Sequence, residues 1–580
     1  MAFKDTREYA FWLDDSGNNN DWQPNGGITT SSTVTDTPTP YAGGGNYCVW
    51  NAVAQSTVVN GTVTRSNANL TSTDGGTTYG LESFGTIAVS SGKWYWETTL
   101  TSAGGIYANI GVVDLNSPLA APSTHTGICY RQSNGYKDSG SSVYTGAGAG
   151  TSYGATYAAG DVIGTALDLD AGTITFYKNG VSQGVAYTGI SGNYTPAVGD
   201  GQNATSYTFD LNCGQRPFAY TPPTGFKALH TGNLPDSTIV DGSQYFDVVT
   251  YAGTGVTTHA ITSLDFPPSL VWIKARDIAQ DHTIYDQVRG VRAQLESNLT
   301  AAEVVESAGN GLVSFDSNGF TLDGDTYTYG GTNSSGYNYV AWNWKANGTG
   351  VSNTDGSITS TVSANPTAGF SVVTYTGNGS TGTVGHSLGT APSMMIFKQR
   401  NTTRDWIVYH SSLGAGYRVF LNLTDASGAS TANFNNTEPT SSVFSIGATT
   451  ATNDNGGSYV AYCFAEVEGY SKFGSYTGNG SADGPFVYTG FRPAFVMVKR
   501  TDTANNWNII DSVRSPYNTV DDYLFPNLSN AEATNVAGYE VDFVSNGFKL
   551  KGTGTSINAS GGTYIYMAFA ETDFANALAR

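Results

Sequence analysis

Charge is the first thing this chain has little of. Asp, Glu, Lys and Arg make up 12% of its 580 residues, near half of the roughly 25% usual for a globular protein. Long amphipathic helices are built from Ala, Leu, Glu, Lys and Arg, so the composition argues against them. Cysteine is scarce too. Cys48, Cys129, Cys213 and Cys463 are too few for a disulfide framework, and none stands at metal-ligand spacing. No run approaches 18 apolar residues, so no membrane-spanning helix and no membrane insertion are expected. Met1 to Asp5 lacks the apolar core of a secretory signal, which predicts folding in a reducing cytoplasm. Basic residues are outnumbered 26 to 46, for a net charge of −20. A field of that sign repels phosphate, so nucleic acid is not an expected partner.

Catalytic signatures are missing as well. The six histidines form no His-Glu-x-x-His pair, and there is no Gly-x-Ser-x-Gly elbow and no Walker loop. The expectation is a protein that is not an enzyme, with no cofactor and no structural or catalytic metal. A pair of carboxylates that cleaves glycosides leaves no mark in sequence, so a glycan depolymerase remains an alternative.

What the chain has is Gly (72), Tyr (36), Trp (10) and 39% hydrophobic residues, enough apolar matter for packed cores. It also has a repeat. Phe246-Asp247-Val248-Val249-Thr250-Tyr251 returns as Phe370-Ser371-Val372-Val373-Thr374-Tyr375 and as Lys472-Phe473-Gly474-Ser475-Tyr476. A second run, Pro268 to Lys274, returns as Pro392 to Lys398 and Pro493 to Lys499. Tyr251 and Tyr375 are 124 apart, as are Lys274 and Lys398; Tyr375 and Tyr476 are 101 apart, as are Lys398 and Lys499. Offsets that agree at several positions mark three copies of one module. Each has a central Asn298-Leu299-Thr300, Asn422-Leu423-Thr424 or Asn527-Leu528-Ser529. Each closes on Tyr339-Val340-Ala341-Trp342, Tyr459-Val460-Ala461-Tyr462 or Tyr566-Met567-Ala568-Phe569. Apolar, β-branched runs bounded by Gly, Asn and Pro read as short antiparallel strands. The stretch from Asp286 to Ser307 reads as a long loop, since its counterpart in the third copy carries Pro526.

Upstream, residues 41–216 also read as strands. Asp161 to Val181 gives two hairpins in series, turning at Asp170-Ala171-Gly172 and at Asn179-Gly180. Ile174 and Phe176 share one face. Gly92-Lys93-Trp94-Tyr95-Trp96-Glu97, Ile110-Gly111-Val112, Gly160 to Gly164, Leu167 to Asp170, Phe176 to Gly180 and Tyr194 to Val198 resemble the SPRY domain, in that family's order. The resemblance implies a concanavalin A-like, two-sheet β-sandwich used for binding, with Trp94, Trp96 and Phe176 in its core and the ligand surface on its loops.

The expected organisation is therefore all-β with very little helix. Residues 1–40 form a docking strap, 41–216 a SPRY-like β-sandwich, 217–232 a Pro-rich junction, and 233–348, 349–469 and 470–580 three homologous β-sandwich modules. The junction Arg216 to Phe226 and the Tyr-Val-Ala repeats further resemble tail proteins of tailed bacteriophages. That resemblance implies a virion structural protein of the tail, made in the host cytoplasm: a tail fibre or tail-associated protein that binds a host cell-surface glycan or protein non-covalently. The family leads one to expect a homotrimer and other virion tail proteins as partners. A purely architectural virion part is the other alternative. Divergent tips on a repeated frame suit recognition, which directs attention to the last module and to Asn505, Asn506 and Trp507 as receptor-binding residues. There the indole face would stack on a sugar and the amides would bind its hydroxyls.

Overall fold

The computed structural model describes residues 46–53, 62–76, 80–117, 125–141, 143–145, 150–201, 205–235, 238–324 and 331–570. The strap expected at 1–40 lies outside them. Among the described residues the regular elements are almost all strands, with two four-residue α-helices, Thr450–Asn453 and Thr555–Asn558.

The first body is a sandwich of two antiparallel sheets. One carries Val63–Ser66, Thr71–Asp74, Tyr207–Asn212, Lys93–Ala103, Val162–Asp168, Thr173–Lys178 and Val181–Thr188 in spatial order. The other runs Gly80–Phe84, Tyr194–Asp200, Ala108–Asp114, Thr126–Arg131, Tyr136–Ser141, Thr151–Ser152. Trp94, Trp96, Ile110, Phe176 and Val198 pack between them, and Trp96 and Phe176 have no exposed surface. Both residues of the Asn179-Gly180 turn have positive φ, 47° and 78°, as a two-residue hairpin requires.

The Pro-rich stretch is strapped to this sandwich. Glu97, on the longest strand, is buried, and its carboxylate accepts the backbone N–H of Ala219 at 2.8 Å and of Tyr220 at 2.9 Å. Lys227–Ala228 then pairs in parallel with Trp94–Tyr95. A buried carboxylate without donors would be costly, so two N–H groups from the outgoing chain satisfy Glu97 and fix the exit path together.

Each repeat is a large sheet backed by a smaller layer. The large sheets centre on Asn338–Trp344, Ser458–Phe464 and Thr563–Ala570, flanked by Phe246–Ala252 and Leu270–Ala275, Phe370–Thr376 and Met394–Gln399, and Ser471–Thr477 and Pro493–Arg500. Tyr251 stacks on Tyr339, Tyr375 on Tyr459 and Tyr476 on Tyr564, with ring centroids 5.2, 5.1 and 4.8 Å apart. The partner in the third repeat is thus Tyr564, two residues before the Tyr566 that the closing motif suggests. The stretch read as a loop after Asp286 also contains a strand, Ala293–Glu296.

The same staple recurs in all three repeats. The hydroxyls of Tyr251, Tyr375 and Tyr476 donate to the carbonyls of Thr332, Thr452 and Ile557 at 2.7, 2.6 and 2.8 Å. Asn333, Asn453 and Asn558 are fully buried, and each carboxamide oxygen accepts a backbone N–H, from Thr254, Asn378 and Asn479. The glycine after the motif must be glycine: a Cβ on Gly253, Gly377 or Gly478 would lie 2.1–2.4 Å from a backbone oxygen.

The large sheets are apolar on both faces. Val271 and Ile273 pack within repeat one, Met395 and Phe397 within repeat two, Val496 and Val498 within repeat three. The alternate residues Leu270, Trp272, Met394, Ile396, Phe495 and Met497 join one common core with Trp342, Trp344, Tyr462, Phe464, Met567 and Phe569. The three sheets therefore face one another around a shared centre.

A closed ring of equivalent contacts holds this arrangement. The carbonyls of Thr300, Thr424 and Ser529 accept the N–H of Arg404, Asn505 and Gln280 at 2.9, 2.7 and 2.7 Å. Repeat one thus touches two, two touches three, and three returns to one. Trp406 Nε1 donates to the Glu296 carbonyl at 2.9 Å, and Trp507 Nε1 to that of Phe420 at 2.7 Å. At the closing seam His282 stands where the other two carry tryptophan. Glu303 bridges Arg289 and Arg400, at 3.0 and 2.7 Å, and Glu532 bridges Arg514 and Arg276, both at 2.7 Å. The seam between repeats two and three has Ser427 and Thr501 in the corresponding places, joined by backbone and hydroxyl bonds of 2.9 Å.

Candidate functional site

Asn505, Asn506 and Trp507 lead into the strand Trp507–Asp511, and the structure corrects the role expected for the tryptophan. Trp507 is 1% exposed. Its indole lies in the shared core and its Nε1 reaches across to Phe420. Asn527 Oδ1 accepts its backbone N–H at 3.0 Å, and Asn527 Nδ2 donates to Asn506 Oδ1 at 2.8 Å. Asn505 receives the Lys499 ammonium on its carbonyl and the Ser556 hydroxyl on its side chain, at 2.6 Å each. The ring face is therefore unavailable as a sugar platform. The same positions in the first two repeats make the same bonds: Asn298 and Asn422 accept the N–H of His282 and Trp406, both at 2.9 Å. The tip is inter-repeat joinery, and the Asn-Leu-Thr motif is its signature.

Lys398 and Lys499 belong to this joinery, while Lys274 donates to the carbonyls of Ala275 and Ile278 within repeat one. None of the three is exposed, and burial pushes each ammonium down to about 8. Lys398 and Lys499 each donate to two carbonyls, one on the neighbouring repeat: Thr300 and Thr424, both at 2.9 Å.

Two clefts lie elsewhere on the described residues. One, of about 280 Å³, lies on repeat one and is lined by Asp281, Gln294, Glu296, Glu306 and Thr332. Burial, with Asp281 and Glu306 nearby, pushes the Glu296 carboxyl up to about 7. Repeats two and three carry Phe420 and Phe525 at the position of Glu296. Tyr285 donates to Glu306 at 2.6 Å.

The other, of about 270 Å³, lies between the first sandwich and repeat three. Its walls are the loop Ala88–Ser91 with Asn116 and Asn193, the incoming chain at Leu234 and Pro235, and Glu466, Glu468, Lys472, Tyr488 and Thr489. Phe486 joins the outer apolar cluster of the sandwich formed by Leu81, Phe84, Val113 and Tyr144, with Tyr488 and Val544 packed against it. Asn546 Nδ2 donates to the Thr86 carbonyl at 2.8 Å. Lys472 is 2.6 Å from Glu466 and 3.4 Å from Asn116, and the Ser90 hydroxyl is 3.4 and 3.5 Å from the two oxygens of Glu468. No signal in the sequence marks this cleft, because its walls come from positions about 400 residues apart.

Among the described residues no three His, Cys, Asp or Glu side chains are grouped to hold a metal, and the four cysteines are buried and free. No described helix is long and apolar enough to cross a membrane.

Comparison with known proteins divides the chain in two. Residues 93–214 match the SPRY domain. Residues 241–573, more than half of the chain and all three repeats, match one domain of unknown function, DUF7483. A stretch of 144 residues is 35% identical to an Arabidopsis thaliana protein named E3 ubiquitin-protein ligase RKP, covering 24% of this chain and 10% of that one. A stretch of 139 residues is 33% identical to Ran-binding protein 10 of Danio rerio, covering 23% and 21%. The SPRY domain of human HERC1 is similar at 18% identity and a TM-score of 0.23, covering 29% of this chain and 99% of that one.

Proposed function

This chain belongs to the DUF7483 family and carries a SPRY domain, and we propose that it is a non-enzymatic binding protein of a virus particle, placed on a phage tail, that recognises a host cell surface. One observation carries the binding part of this reading. A SPRY sandwich is held at two places, by Glu97 gripping the outgoing chain at Ala219 and Tyr220 and by repeat three against its outer cluster. A recognition module held in one orientation on a large ring loses little freedom on binding. The phage-tail placement is supported by the resemblance of the junction and the repeats. The curated relatives match over a tenth to a fifth of their own length, so the ligase and Ran-binding names speak for whole proteins that share only this stretch.

The test is competition. Purified chain added to host cells is expected to bind them and to lower phage adsorption. Chain that binds no cell while sitting in the particle would leave the architectural role. A second reading, glycan cleavage, has one observation in its favour: the Glu296 carboxyl held near neutrality beside other carboxyls, an environment that suits proton transfer. Release of reducing sugar that disappears in Glu296→Gln would establish it.

A further inference from the structure

We propose that the cleft between the SPRY sandwich and repeat three is a binding site for a short neutral or amino-bearing saccharide. The proposal rests on the cell-surface binding role above and gives it a place and a ligand class.

The cleft is already formed. Its two walls are locked by the Phe486 contact and by the Asn546 to Thr86 bond, so no ordering step precedes binding. Its size, about 270 Å³, sits at the lower edge of the ~300–1,000 Å³ of small-molecule sites and suits one or two sugar rings. The shared core of the repeats, by contrast, encloses about 10 Å³, the room of a single water.

Its chemistry is that of hydroxyl recognition. Each sugar hydroxyl donates and accepts. The Glu468 carboxylate accepts from two neighbouring hydroxyls, Asn116 and Asn193 offer both a donor and an acceptor, and Ser90 and Thr489 do the same on a smaller scale. Glu468, Ser90 and Asn116 are exposed. Ala88, Val89, Leu234 and Pro235 supply an apolar floor for the C–H face of a ring. The charge selects further. Glu466 and Glu468 outnumber Lys472, and the chain carries −20, so uronates, sialylated sugars and phosphorylated sugars are repelled.

The test uses the full chain with four probes: tetrasaccharides of glucose and of N-acetylglucosamine, a glucosamine tetramer, and a galacturonate tetramer. Saturation-transfer NMR and titration calorimetry are expected to show saturable binding of at least one of the first three and none of the uronate. Glu468→Gln and Asn193→Ala should each weaken that binding at least about fivefold and leave the melting temperature unchanged. Failure of the first three probes to bind, preference for the uronate, or equal binding by both variants overturns the proposal. Cell adsorption measured in parallel separates the two levels. Adsorption by the wild type that both variants retain overturns the cleft alone, whereas no adsorption by the wild type overturns the binding function itself.

Discussion

In the SPRY sandwich, Trp96 and Phe176 face strands of the same domain. In the repeats, Trp272, Tyr462 and Phe569 face strands of other repeats. The first body closes its central core alone, and only its outer cluster takes in Phe486 of repeat three. Each repeat buries one face against its own small layer and leaves the other for its two neighbours. The difference is one of autonomy: similar strands and similar turns give an independent domain in one case and a third of a domain in the other. The DUF7483 match, which runs through all three repeats as one unit, follows the same division.

The largest expected effect comes from breaking the ring. A chain cut after Gly469 keeps the outer cores of repeats one and two but exposes the shared one. Module size alone would predict that the remainder folds. The shared core predicts that repeats one and two lose cooperative unfolding, read by near-UV circular dichroism, while the SPRY transition persists at a lowered temperature because its contact with Phe486 is gone.

Next come two tryptophans of equal size in the two bodies. Trp96→Ala and Trp344→Ala should each cost about 3–5 kcal/mol, as expected for deleting a large buried aromatic. Trp96→Ala is expected to shift only the SPRY transition. Trp344→Ala should shift all three repeats together, since its ring lies against Phe370, Phe464, Phe495 and Phe569.

Acid sharpens the contrast. His410 and His282 are buried on the shared-core side of their sheets. His410 Nε2 is 3.1 Å from the Tyr566 carbonyl on repeat three, and His282 Nδ1 accepts from Trp272 at 3.0 Å. Burial holds His410 down to about 4 and His282 well below its ordinary value. Both are neutral in the folded state, so their stabilisation is complete above the unfolded value near 6.5 and is lost as pH falls toward 4. Each contributes at most about 1.4 kcal/mol per pH unit. The melting temperature of the repeats is expected to drop over that window, and His410→Gln should flatten the drop.

The smallest effect is a repair. Ser427→Glu with Thr501→Arg installs at the second seam the ion pair present at the other two. A partly exposed pair of this kind is worth under about 1 kcal/mol, so a small rise in melting temperature is expected in calorimetry.

The sequence carries much of this. Coincident offsets place three repeats, and the run from Gly92 to Glu97 places the sandwich and its core. The shared centre is legible too, in a signal that alternation-based reading passes over. Leu270-Val271-Trp272-Ile273, Met394-Met395-Ile396-Phe397 and Phe495-Val496-Met497-Val498 are unbroken apolar runs, and a strand apolar on both faces is a strand covered on both. Trp507 is misplaced by the same omission, since a polar tip beside an indole looks like a binding loop until a second copy closes over it. The cleft beside Glu468 has no such signal, because its walls meet only in the folded chain.

If the three repeats are one cooperative unit, hydrogen exchange of the intact chain in rising denaturant tests it most directly, following the amides of 339–344, 459–464 and 563–570. A shared core predicts one common opening free energy and one common denaturant dependence for the three strands. Three separate isotherms, with one repeat opening while the others stay protected, would contradict it.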